Sequence, residues 1–86
     1  MANIAAEREN IAFVNTASKE ADFTDKCMGV ILKTTADVYI AFDRPANADD
    51  FLLQSTDSIV AFPVEFTKIS ALGVSGSGTL YVLGLR

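Results

Sequence analysis

Residues 67–84 read TKISALGVSGSGTLYVLG. Two apolar stretches flank the run Gly73-Val74-Ser75-Gly76-Ser77-Gly78. A phosphate-binding loop needs glycines that open a helix and a lysine that reaches the phosphates. Here Thr79-Leu80-Tyr81-Val82 follows the glycines, and β-branched and aromatic residues of this kind favour a strand. Lys68 precedes the run, and no lysine follows it. The stretch therefore predicts two strands and a turn. The expected turn is a hairpin, with Ser75 to Gly78 supplying positive-φ positions and Val74 facing Leu80 across the ladder.

The same pattern extends toward the N-terminus. Residues 11–15, 21–24, 27–33, 37–42, 51–54, 58–66, 68–74 and 79–83 are short apolar stretches separated by polar punctuation. Met28, Val30 and Leu32 recur at period two, as do Val38, Ile40 and Phe42, with Tyr39 and Ala41 on the opposite face. Such two-sided strands predict burial on both faces, by a second sheet or by a partner. Val60, Phe62, Val64 and Phe66 alternate across Pro63, which cannot donate a ladder hydrogen bond and so marks an edge or a bulge. The expected fold is all-β: a small jelly-roll-like β-sandwich of seven or eight short strands over residues 11–86. Residues 1–10 read as an N-terminal arm. Ala5, Ala6, Glu7 and Arg8 tolerate a short helix there, and Ile4 is its large apolar residue after Met1.

The chain has 86 residues, 50% of them hydrophobic, which suits one small packed domain. A domain of this size buries only about 60–65% of its unfolded surface, so it gains from association. A single cysteine, Cys27, allows no internal disulfide, and a buried or half-buried reduced thiol is its expected role. No apolar run is long enough for a membrane span, and charges stand where a signal peptide needs its apolar stretch. The seven basic residues are scattered and the net charge is −4, which argues against a nucleic-acid partner.

Candidate chemistry is sparse. Without histidine, no His-based relay or metal ligand exists. Cys27 has no His to activate it. The loop Asp43-Arg44-Pro45-Ala46-Asn47-Ala48-Asp49-Asp50 offers the oxygen ligands calcium favours. Its spacing is not that of an EF-hand, however, and a solvated turn in which Asp49 or Asp50 bonds local backbone is the simpler reading. No enzyme activity and no cofactor are expected. Tyr39 and Tyr81 suit either stacking on a sugar or, more often, a protein interface.

The series Val38-Tyr39-Ile40-Ala41-Phe42-Asp43, Phe51-Leu52-Leu53, Phe66-Thr67-Lys68-Ile69-Ser70-Ala71 and Gly76-Ser77-Gly78-Thr79-Leu80-Tyr81-Val82 resembles small tailed-bacteriophage virion proteins. The resemblance covers roughly residues 37–84. It implies a structural role in the virion as a capsid decoration (cement) protein or a head or tail appendage, made in the host bacterial cytoplasm. It also implies homo-oligomers, trimers favoured, that bridge major capsid subunits. The expected interface residues are Ile4, Tyr39 and Tyr81. The alternative is a carbohydrate- or receptor-binding β-module of a fibre or tail.

Overall fold

A computed structural model describes residues 6–57 and 59–86. Its six strands are β1 (Ala6–Phe13), β2 (Lys19–Thr34), β3 (Val38–Phe42), β4 (Phe51–Leu53), β5 (Val60–Gly73) and β6 (Gly78–Leu85). All pair antiparallel in one sheet of order β1-β6-β2-β5-β3-β4. The all-β expectation holds. The expected two-sheet sandwich of seven or eight short strands does not form: among the described residues there are six strands and one sheet. The excess came from reading β2 and β5 as two short strands each.

Two irregularities let a single sheet enclose a core. Asp22 pairs with Lys68 and Cys27 pairs with Phe66, so four residues of β2 stand opposite Thr67 alone. A bulge of this kind bends the strand and increases its twist. A second register shift follows between Cys27 and Gly29, where Gly29 meets Pro63. Pro63 thus sits at a bulge, as its missing N–H requires. The buried side chains change parity at these points. Along β5, Phe62, Val64 and Phe66 face inward, and beyond Thr67 the inward set is Ile69 and Ala71. The sheet folds over at this bend, and Phe23, Phe42, Phe62 and Phe66 pack there edge-on or tilted. Their ring centroids lie 5.3 Å (Phe23–Phe66), 4.9 Å (Phe42–Phe66) and 5.9 Å (Phe42–Phe62) apart. Each such contact adds about 0.5–1.5 kcal/mol beyond its burial.

The bulge also decides which residue enters the core. Cys27 is 0% exposed, whereas Met28 is 56% exposed. The period-two reading put Met28 with Val30 and Leu32, but the register shift at Cys27/Gly29 turns it outward. Val30 and Leu32 are buried as expected.

The glycine run is not a hairpin. Strand β2 separates β5 from β6 in the sheet, so Val74 and Leu80 do not pair. Residues 74–77 arch from one half of the folded sheet to the other. The Gly73 N–H donates to the Val14 carbonyl at 2.8 Å, and the Val74 N–H donates to the Asp37 carbonyl at 3.2 Å. No glycine among the described residues has positive φ. Glycine is needed at position 73 for close approach instead, because a Cβ there would overlap the Gly76 carbonyl oxygen.

Residues 6–10, read with the arm, form most of β1 and pair with residues 81–85 rather than making a helix. Residues 1–5, including Ile4, lie outside the described residues.

The segment between β3 and β4 covers the outer face of β3 and of the C-terminal part of β5, around Ser70. Asp43, at φ 60°, begins it. The Ala46 N–H reaches the Ser18 hydroxyl beside β2 at 3.1 Å. To get there the chain crosses β5, and Ala41 and Ser70 beneath it are buried although their parity is outward. Strand β3 is thus covered on both sides, but its outer side is covered by this loop and not by the expected second sheet or partner.

Candidate docking surface

The polar candidates resolve into structure. The Asp43 carboxylate accepts from the Thr67 and Lys68 N–H groups, both at 3.0 Å. The Thr67 N–H is the chief cause that holds its pKa below the ordinary carboxylate value. Asp50 binds Arg44 through both carboxylate oxygens and accepts the Asn47 N–H at 2.7 Å. The Arg44 hydrogen bond lowers the Asp50 pKa most. Asp50 thus makes the local backbone bond expected of a turn. Among the described residues no cluster of three or more acids, cysteines or histidines is placed to hold a metal. Cys27 is closed off beneath Gly84, and burial pushes its thiol pKa up. In the glycine run, two amides are already bonded to carbonyls, and no helix is present among the described residues.

One further feature is a sheet face. In antiparallel pairs, residues directly opposite share a side. Strand β6 buries Leu80, Val82 and Gly84, so Tyr81, Leu83 and Leu85 point outward. Register then places Arg8, Leu83, Ile31 and Ala61 in one row, and Asn10, Tyr81 and Lys33 in the next. Ile59, just ahead of β5, completes the patch. Ile59 is 64% exposed and Tyr81 is 43% exposed. With Ile31, Leu83, Arg8 and Lys33 they line a shallow groove of ≈ 200 Å³. Unlike the face of β3 and β5, this one carries no covering loop among the described residues.

Four cations sit in ion pairs: Lys26 with Glu65, Arg44 with Asp50, Lys68 with Glu20, and Arg86 with Glu7. Arg8 and Lys33 have no carboxylate within 4 Å among the described residues. The groove is therefore apolar at its floor and positive at its sides.

The structure does not bring the expected interface residues together. Tyr81 stands in this patch. Tyr39 is half-buried on β3 between Leu52 of β4 and Leu72 of β5, on the other half of the sheet. Ile4 lies outside the described residues. Sequence reasoning did not single out Ile31, Ile59, Leu83, Arg8 or Lys33. The available signal was that Tyr81-Val82-Leu83 is apolar on both faces although only one can enter the core.

The chain matches no protein-family model, no curated protein and no solved structure.

Proposed function

We propose that the chain is a non-enzymatic virion structural protein, most simply a capsid decoration or cement protein that docks through the outer face of β1, β6 and β2. The observation that carries this reading is the open patch of Tyr81, Ile31, Leu83 and Ile59 on a sheet whose opposite face is closed by the core. Apolar area of this kind is stabilised by removal from water at about 25 cal/mol per Å². A stable contact needs about 800 Å² from each partner, roughly a sixth of this molecule's 4981 Å². The resemblance of residues 37–84 to small tailed-phage virion proteins supplies the identity of the larger partner. Repeated weak contacts on a shell would add through avidity. Residues 1–5 of the arm, with Ile4, add reach to the shell in this reading.

The test is co-sedimentation of the purified protein with emptied tailed-phage heads, beside a glycan array. The protein is expected to pellet with the heads and to leave the array blank. A blank pellet with binding to glycans would replace this reading by the carbohydrate-binding one. Deleting residues 2–5, which stops short of β1, is expected to lower head occupancy; unchanged occupancy removes the arm from the mechanism.

A further inference from the structure

Charge in this molecule is divided along the sheet. Residues 37–57 carry five aspartates (Asp37, Asp43, Asp49, Asp50 and Asp57) and one arginine, Arg44, a net of −4. That equals the net charge of the whole chain, so everything outside β3, β4 and their loops is neutral overall. This acidic segment forms one edge of the sheet, with β4 outermost, and β1 forms the other edge. The acidic edge also ends in apolar side chains: Phe51 is 55% exposed and Leu52 is 41% exposed. The Asp49 carboxylate beside them is exposed and holds no hydrogen bond among the described residues.

The opposite half carries the complement. Arg8 and Lys33 flank Tyr81 and Leu83 from the two sides of β6, two strand spacings or roughly 10 Å apart. Each half thus joins an exposed apolar centre to charge, a net −4 in the acidic segment and two cations without ion pairs among the described residues, Arg8 and Lys33, beside the groove. One copy cannot close its own β4 edge onto its own face, because β3 and β5 stand between β4 and that face in the sheet.

We infer that a second copy of this chain occupies the Arg8–Tyr81–Lys33 groove, and that it docks there by its β4 edge, with Phe51 and Asp49 leading. The contact is head-to-tail, so each copy uses two different surfaces. Such contacts close into a ring or continue as an open chain. Opposite charges fix which surfaces meet, while the apolar floor supplies the area. This inference rests on the docking role assigned above to the same face: within a row of copies the groove holds the neighbouring copy, and the groove left open at the end of the row is the one that meets the shell.

The test uses two variants that keep the core intact. A face variant carries Arg8→Glu and Lys33→Glu. An edge variant carries Asp49→Ser and Phe51→Ser. Sedimentation velocity gives the mass of each, alone and mixed, at about 50 mM and about 500 mM salt. The wild type is expected above the 9.2 kDa protomer mass, with weaker association at high salt. Each variant alone is expected at protomer mass, its self-association weakened at least tenfold. Their mixture retains one intact face and one intact edge, so it should form a pair of twice the protomer mass and stop there. Formation of that pair also shows that both variants are folded. A wild type at protomer mass throughout, variants that associate as the wild type does, or a mixture that stays single or grows beyond two, overturns the head-to-tail contact. Pelleting with heads separates this from the virion reading. Pelleting retained by a protomeric wild type overturns only the self-contact, and self-association without pelleting overturns only the virion role.

Discussion

The Asp43 carboxylate accepts the backbone N–H of Thr67 at 3.0 Å, and the Asp43 backbone stands at φ 60° to do so. Thr67 is the residue of β5 left opposite the bulge in β2. One side chain therefore secures the point where the sheet bends and where β3 ends. The Asp43 N–H closes the same contact by donating to the Lys68 carbonyl at 2.9 Å.

Asp43→Ala should destabilise the fold more than Asp43→Asn. Alanine loses the acceptor and tolerates the left-handed backbone poorly, at about 1–2 kcal/mol for the backbone alone. Asparagine keeps an acceptor oxygen and visits that region readily. Urea denaturation of both variants checks the order. Equal losses would mean that neither backbone strain nor the lost acceptor matters there.

Acid should loosen the same corner. The pKa values of Asp43 and Asp50 are lowered in the fold, by the Thr67 N–H and by Arg44 first. Lowered carboxylates bind fewer protons folded than unfolded, so their stabilisation is complete above the ordinary value of about 3.9. It is lost as pH falls through the folded-state values. Thermal midpoints between pH 6 and pH 2, followed for wild type and Asp43→Asn, should show a shallower acid decline in the variant. Parallel declines would contradict the assignment.

Gly84 supplies the clearest packing test. A Cβ at this position would lie 2.6 Å from the Cys27 Sγ and 2.9 Å from the Phe23 ring. Gly84→Ala should cost about 1–3 kcal/mol by overpacking, and Cys27→Ala should recover part of it. A simple sum of the two single effects would place the clash elsewhere.

The bulge can be checked from the neighbouring pair. Cys27→Ser puts an added polar group in the core and should cost about 1–3 kcal/mol. Met28→Ser lies at the surface and should stay within about 0.5 kcal/mol. Larger loss at Met28 would restore the unbroken period-two strand.

Most strands were legible because apolar alternation is a local property. Val38 to Phe42 and Val60 to Phe66 show it without ambiguity. The long strands were not, because Phe23 and Cys27 obey one parity and Val30 and Leu32 the other. The change between them depends on the Thr67 and Pro63 positions of a distant strand. Strand β1 was hidden by its composition: Glu7, Arg8 and Glu9 suit an arm or helix locally, and only pairing with Val82, Leu83 and Gly84 makes them a strand. The turn at Gly73 to Gly78 fits a hairpin in every local respect, and the insertion of β2 between its flanking strands is wholly non-local. The proposed docking face was half legible. Tyr81 was visible as an exposed aromatic candidate, but its neighbours come from β1, β2 and the start of β5, and no spacing rule joins them.

The most direct test of the docking role pairs Tyr81→Asp with the wild type in the emptied-head pelleting assay, with thermal midpoints measured on the same samples. Tyr81→Asp is expected to keep its midpoint, since the side chain faces solvent, and to lose pelleting. A variant that pellets as the wild type does, with its fold intact, would contradict the claim that this face docks.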